Sequence, residues 1–338
     1  MKVVRLSTLN LVVSNEGIFS LIKDGAIISL VKFKLNLEEI DKLAAFKGSR
    51  AFLLKVCGEQ FLVGVDDSLV LVNEKGVQKV VLKASRAENF FWHAAEIGEY
   101  TFVQEYGHPP TYIYASKDLE DWRKIVANVD LDKHSKHFHY IVWDPYREWL
   151  IATLGDGCLT HVVYSEDLGQ SWKPLYRGPW QFVPIEPLKD MIVFGMDSGI
   201  VRGGVATYYF PDSRWKFVFL KWLSSGVRVA QMCDLKQLDN GIYVAALGTP
   251  QAVVASKDLT TWHPLYVEGF KEDFNYHMML SEGRNFLACS TGKSLLVFEK
   301  DELKSRVLSS NPVVSSYRAY MDRLKGLGFT LKSMLIAR

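Results

Sequence analysis

Three histidines, two glutamines and four carboxylates recur along the 338-residue chain at a spacing that could bring them to one site. His93, His139, Gln181, Gln231 and His277 follow one another by 46, 42, 50 and 46 residues. Each opens an apolar run, as in His139-Tyr-Ile-Val-Trp143 and His277-Met-Met-Leu280, so each reads as the polar end of a buried strand. Arg50 takes the same place in an earlier repeat. A second series, Asp66, Glu105, Asp156, Asp197, Thr249 and Thr291, stands at the ends of the strands that follow. His108, His137, Arg202, Arg228 and Gln251 belong near the same rim.

These residue types suit three chemistries. Arg50, Asp66, His93, His139, Gln181, Arg228, Gln231 and His277 could bind sugar hydroxyls or another polar ligand through paired donors and acceptors. Two carboxylates facing across a cleft hydrolyse glycosides, at about 5 Å for retention and about 6.5–9.5 Å for inversion. Asp156 and Asp197, each after a glycine-containing strand end, are the first candidates for that pair, with Glu105 behind them. Imidazole with amide or carboxylate can also hold one divalent metal, for which His93, His139, Gln181 and His277 are the candidate ligands. His137 and His139, two apart on a strand, face one side. A fourth reading needs no ligand, because a repeated fold lines its channel with polar residues and water whatever it does.

The elements that would position this ring are legible as a repeat. Tyr114-Ala-Ser-Lys-Asp-Leu-Glu-Asp-Trp122, Tyr164-Ser-Glu-Asp-Leu-Gly-Gln-Ser-Trp172 and Ala255-Ser-Lys-Asp-Leu-Thr-Thr-Trp262 match one another, and Phe210-Pro-Asp-Ser-Arg-Trp215 is a shorter copy. The tryptophans fall at 122, 172, 215 and 262, separated by 50, 43 and 47 residues. A period of about 40–50 residues with several short strands predicts propeller blades. Further turns at Lys23-Asp24-Gly25, Asn73-Glu74-Lys75-Gly76 and around Asp301-Glu302 bring the expected number of blades to seven, or to six with an N-terminal cap. The reading is an all-β propeller over 1–311, closed by a strand from Lys2 to Leu6, and a C-terminal helical tail over 312–338 packed on it. Tyr317, Tyr320, Met321 and Leu324 give that tail its helical spacing. The repeated Asp accepts hydrogen bonds from a turn, and the Trp packs between sheets.

Composition narrows the partners. With 40 basic and 38 acidic residues, the net charge of +2 gives no global field for nucleic acid. No apolar run reaches the length of a membrane span. Met1 to Val13 reads as a strand rather than a signal peptide. Cys57, Cys158, Cys233 and Cys289 lie far apart, without a C-x-x-C pair, which fits reduced thiols and a cytoplasmic protein.

The repeated segment resembles the Asp box (BNR repeat), S-x-D-x-G-x-[ST]-W, of the sialidase-like propellers. Ser165 to Trp172 fits it throughout, whereas the copies at 116 and 256 lack the glycine and are one residue shorter. The resemblance implies a propeller in which the boxes are structural. It does not carry sialidase chemistry, since the chain has no F/Y-R-I-P segment and only Arg50 and Arg228 fall at inner positions. Other Asp-box propellers imply a glycosidase-like hydrolase. Propellers that act as polyuronide lyases hold a metal with three His and one Gln, a set that His93, His139, Gln181 and His277 resemble in composition. Binding of a carbohydrate or similar ligand leads, with a metal-dependent lyase or hydrolase and a non-catalytic protein-interaction scaffold as the alternatives. Trp149, Trp180 and Trp222 are candidate anchors for a protein partner.

Overall fold

Short apolar runs separated by Gly, Asn and Asp turns have one way to pair every backbone group, which is antiparallel hairpins. The computed structural model describes residues 1–34, 37, 40–157, 159–197, 203–222, 231–269, 275–310 and 314–316. It begins with β1 (Lys2–Arg5). Blade one is β2 (Thr8–Ser14), β3 (Gly17–Asp24), β4 (Ile27–Phe33) and β5 (Ile40–Lys47). Blade two is β6 (Ala51–Cys57), β7 (Gln60–Val65), β8 (Ser68–Val72) and β9 (Gln78–Lys83). Blade three is β10 (Phe90–Ile97), β11 (Tyr100–Tyr106), β12 (Tyr112–Ser116) and β13 (Arg123–Ala127), and a turn of helix, α1 (Asn128–Leu131), leads on. Blade four is β14 (Phe138–Asp144), β15 (Trp149–Leu154), β16 (Thr160–Ser165) and β17 (Lys173–Gly178). Blade five is β18 (Phe182–Pro187), β19 (Met191–Met196), β20 (Gly204–Tyr209) and β21 (Arg214–Trp222). Blade six is β22 (Gln231–Gln237), β23 (Tyr243–Thr249), β24 (Gln251–Ser256) and β25 (Thr261–Gly269). Blade seven has β26 (Met278–Glu282), β27 (Phe286–Thr291) and β28 (Ser294–Glu299), and takes β1 as its outermost strand.

The molecule is thus a seven-bladed β-propeller closed by its N-terminal strand, as the repeat predicts. Because β1 occupies the free edge of β28, the chain after Glu299 needs no fourth strand. It forms α2 (Lys300–Ser309) instead, where the period places only a turn. Asp301 and Glu302 in the first turn suit the positive end of that helix, and Lys300 pairs with Asp239 and Glu282. Val314–Ser316, where the helical spacing was expected to set in, is a strand, β29, that bridges β21 and β25 on the outer edges of blades five and six. The remainder of the expected tail, 317–338, lies outside the described residues, as does Cys158. The turn at Lys23-Asp24-Gly25 joins the second and third strands of its blade.

The apolar cores lie between blades. Tyr176, Trp180, Phe182, Phe194 and Phe219 fill the gap between blades four and five, and Cys233 and Cys289 are buried between six and seven as free thiols. Outward, β9 is exposed and carries Lys79 and Lys83, charges that discourage edge pairing. Trp180 is fully buried, so it belongs to this packing and not to a surface anchor.

The repeated turns act as their chemistry predicts. Asp118 Oδ1 accepts from the backbone N–H groups of Glu120 and Asp121, Asp167 Oδ1 from that of Ser171, and Asp258 Oδ1 from those of Thr260 and Thr261. Trp122, Trp172 and Trp262 each donate the indole N–H to the carbonyl three residues back. The leucine after each aspartate, Leu119, Leu168 and Leu259, is held in the left-handed region at φ 64°, 58° and 62°. A non-glycine residue is kept there only where its surroundings over-determine it.

Six of the seven innermost strands also break register against their neighbours. One residue is added at Leu9 in β2, Leu54 in β6, Trp92 in β10, His139 in β14 and Cys233 in β22, and a wider break spans Val183-Pro184 in β18. Such bulges re-aim a side chain. Neighbouring blades meet there: Asn10 exchanges two hydrogen bonds of 2.9 Å with the backbone of Leu53, Gln104 donates to His139 O at 3.0 Å, and Asp234 accepts from Leu280 N at 2.8 Å.

The turn aspartates make a pH prediction. Hydrogen bonds from backbone and hydroxyl groups hold the carboxyls of Asp118 and Asp167 down to about 2, against about 3.9 in an unfolded chain. A depressed carboxyl contributes stability above the unfolded value, and that contribution is lost as pH falls towards 2. Asp167→Asn should therefore lower the melting temperature at pH 6, with the gap to the native protein closing between about pH 4 and pH 2. A gap that stays constant over that range would contradict the assignment.

Candidate functional site

The bulges place two side chains in the mouth of the central channel. In β10, Phe91 pairs with Glu105 and His93 with Gln104, so Trp92 is the extra residue; in β14, Phe138 pairs with Leu154 and Tyr140 with Thr153, so His139 is. Trp92 and His139 are therefore structural equivalents on adjacent blades. Both line a cavity of about 410 Å³ together with Arg50, Phe52, Phe90, Tyr106, Gln181, Asp197, Gln231 and Tyr276.

The cavity has two kinds of wall. Blades two, three and seven give an aromatic side. Phe52 stacks on Phe90 at 5.6 Å, Trp92 meets Tyr106 edge-on at 5.0 Å, and Tyr276 lies 6.2 Å from Phe52. Blades four, five and six give a polar side. Gln181 Nε2 lies 3.3 Å from His139 Nδ1 and 3.4 Å from Asp197 Oδ2, and Gln231 Nε2 donates to Asp197 Oδ1 at 3.2 Å. Between them the Arg50 guanidinium lies 3.6 Å over the Phe90 ring. Among the described residues its one side-chain hydrogen bond, a weak one, runs to Glu88 O at 3.4 Å, and its Nε is buried without a partner, as is Trp92 Nε1.

Burial sets the charges. It pushes the Asp197 carboxyl well above its ordinary value, the Gln231 amide opposing and the Asp156 charge adding to it. It also lowers Arg50, although the guanidinium keeps its proton at any physiological pH. Burial raises Asp156 too, but the hydrogen bonds and charges of His137 and His139 outweigh it and hold that carboxyl well below the usual range. His139 is lowered by burial, with Asp156 opposing. Arg50 is the only arginine or lysine among the described residues that line the cavity.

Each position read from the sequence now has a place. Arg50, His139, Gln181, Asp197 and Gln231 are brought together around the cavity. Asp156 stands behind His139, accepting from its Nε2 at 2.9 Å, and also meets Lys136 Nζ at 3.0 Å. His93 and His277 do not line the cavity. His93 is buried against Tyr140, lowered to about 3 by burial, and its Nε2 has no partner. His277 donates from Nδ1 to the bulge carbonyl of Leu9 at 2.9 Å and is lowered to about 4 by burial. The four expected metal ligands are thus dispersed, with only His139 and Gln181 adjacent. Asp66 accepts from the N–H groups of Ser49 and Arg50 and the Ser49 hydroxyl, which braces the loop before β6. Glu105 is buried and accepts from Ser85 N, Ser85 Oγ, Asn89 Nδ2 and Tyr114 Oη, which ties blade three together internally. Arg202 and Arg228 lie outside the described residues.

The aromatic wall escapes the sequence reading. Trp92 and Tyr276 each precede a histidine chosen from the period, and the bulge explains the first case, since one added residue moves the inward position from His93 to Trp92. The run Phe90-Phe91-Trp92 was the available signal, an aromatic cluster at a strand start.

Neither a family model nor a curated protein matches the chain. Solved structures do match it in fold. A virginiamycin B lyase from Staphylococcus aureus is 10% identical, with 87% of this chain and 97% of that chain covered and a TM-score of 0.63. YCF48 bound to D1 peptide is 12% identical, with 89% and 97% covered and a TM-score of 0.57. A puromycin-hydrolyzing peptidase of Mycobacterium tuberculosis is 12% identical at a TM-score of 0.59 over 84% of this chain, which spans only 50% of that one. The chain spans 38% of an extracellular domain from B. thetaiotaomicron at a TM-score of 0.57. These are likenesses of the propeller fold.

Two substitutions separate braces from bystanders. Glu105→Gln should cost about 1–3 kcal/mol in urea denaturation, because one amide cannot satisfy four donors. His93→Phe removes an unpartnered buried nitrogen and should leave stability within about 1 kcal/mol of the native protein. A large loss for His93→Phe would mean that the ring has a partner.

Proposed function

We propose that the axial cavity binds a carbohydrate-sized ring that carries a carboxylate. One observation carries this reading: the half-buried Arg50 lies over Phe90 in the cavity wall, with its Nε buried and without an acceptor among the described residues. A buried guanidinium donor without a partner is costly, and a ligand carboxylate supplies the acceptor in a charge-assisted bond. The rest of the lining suits the same ligand. Sugar rings present apolar C–H faces, which Trp92, Tyr106 and Tyr276 can cover, and hydroxyl edges, which Gln181, Gln231 and Asp197 can pair as donors and acceptors. A cavity of about 410 Å³ accommodates a ring of that size. The similar folds named as a lyase and a peptidase illustrate that propellers host unrelated chemistries, so the site and not the fold carries the reading.

The test is calorimetric titration with trigalacturonate and with maltotriose as the uncharged comparison. Trigalacturonate should bind at least about 10-fold more tightly, the ratio expected of one charge-assisted bond. Arg50→Met should abolish that preference, and Trp92→Ala should weaken both ligands. Binding without preference for the acid, or no binding of either sugar, would overturn the reading. Release of smaller sugars from a bound oligomer, lost in Asp197→Asn, is the further result that a glycosidase-like activity requires.

A further inference from the structure

Behind the cavity wall, β14 and the loop after β15 bring together a cluster that the axial ring does not explain. His137, His139 and Asp156 hold one ligand atom each within 4.8 Å of one another. His137 and His139 side chains are 1% and 2% exposed, whereas Asp156 is 35% exposed and opens the cluster to solvent.

Proton positions show what is missing. His137 Nδ1 lies 2.6 Å from Gly107 O, and a carbonyl only accepts, so that nitrogen carries the ring proton. Its Nε2 is buried, without a hydrogen-bond partner, and 3.4 Å from the Asp156 Oδ1 carboxylate oxygen. A neutral imidazole whose far N–H is fixed by a backbone carbonyl is the usual arrangement of a metal-binding histidine.

We infer that His137 Nε2, His139 Nε2 and Asp156 Oδ1 form a site for one divalent transition-metal ion. The spacing fits. Ligand atoms about 2.0–2.1 Å from a tetrahedral zinc lie about 3.3 Å from one another, and Asp156 Oδ1 is 2.9 Å from His139 Nε2 and 3.4 Å from His137 Nε2. Two imidazoles and one carboxylate leave a position open for water or ligand. The Tyr106 ring packs 3.9 Å from His137 and 5.5 Å from His139, which fixes both imidazoles before a metal arrives. The opposing charge is Lys136, whose Nζ lies 3.0 Å from Asp156 Oδ2.

Occupancy would change the cavity. Without metal, His139 Nε2 faces Gly155 O at 3.0 Å and Asp156 Oδ1 at 2.9 Å, both acceptors, so it holds the proton and Nδ1 accepts from Gln181. With metal on Nε2 the proton moves to Nδ1, and His139 presents a donor to the cavity wall. The site does not depend on the acidic-sugar reading, and the two fail separately.

Cobalt(II) titration of the full chain after chelator treatment and dialysis tests it, with visible absorption and elemental analysis as readouts. One equivalent of Co²⁺ should bind with ligand-field bands, and Zn²⁺ should displace it. His137→Ala should weaken binding at least 10-fold, while His277→Ala should not change it. Lys136→Met should tighten binding, a gain that misfolding cannot produce. No saturable uptake by the native chain, or uptake indifferent to both His137→Ala and Lys136→Met, would overturn the proposal. Trigalacturonate binding by the chelated protein reports on the sugar reading alone.

Discussion

Crowding of seven strands around one axis is the constraint on which the rest depends. An inner strand with perfect pairing would point alternate residues at the two neighbouring blades and none at the axis. The added residues in β2, β6, β10, β14 and β22 break that alternation. Their cost is an unpaired backbone group, and neighbouring blades offset it: Gln104 takes the His139 carbonyl and His277 takes that of Leu9. The same contacts that fasten blade to blade therefore aim Trp92 and His139 at the cavity.

Polar groups divide accordingly. Those with every partner inside the protein, such as Glu105, Asp66 and the turn aspartates, brace loops and hairpins. Among the described residues, those that lack a partner are spread over several blades, and three of them stand at the cavity or behind its wall. Arg50 Nε, Trp92 Nε1 and His137 Nε2 are buried and unpaired within blades two to four. Native structures leave few such groups, and each calls for a reason such as a bound water, an ion or a functional role. Among the described residues of the cavity Arg50 is the only arginine or lysine, and burial pushes the Asp197 carboxyl towards its neutral form.

Much of the fold was legible in the sequence, because a blade is a local object. The Ser–Asp–Trp turns recur at the blade period, and their hydrogen bonds close within seven residues. The closing strand was legible too, since Lys2 to Leu6 had no partner of its own. Half of the site was legible for the same reason: Gln181, Asp197 and Gln231 keep phase with strands whose inner ends share one geometry. The aromatic wall was not. A single added residue shifts the inward position, so that phase counted from His139 selects His93 and passes over Trp92. The pairing of His137 with Asp156 crosses from the residue before β14 to the loop after β15, a tertiary contact that H-x-H alone does not specify.

We propose that the bulged inner strands present one cavity built for a ring with an acidic group. A crystal structure of the protein with trigalacturonate tests it most directly. The expected result is a sugar ring over Trp92, its carboxylate within hydrogen-bond distance of Arg50 Nε, and its hydroxyls on Gln181 and Gln231. A sugar bound elsewhere on the disc, or an empty cavity at saturating sugar with Arg50 Nε still unpaired, would contradict it.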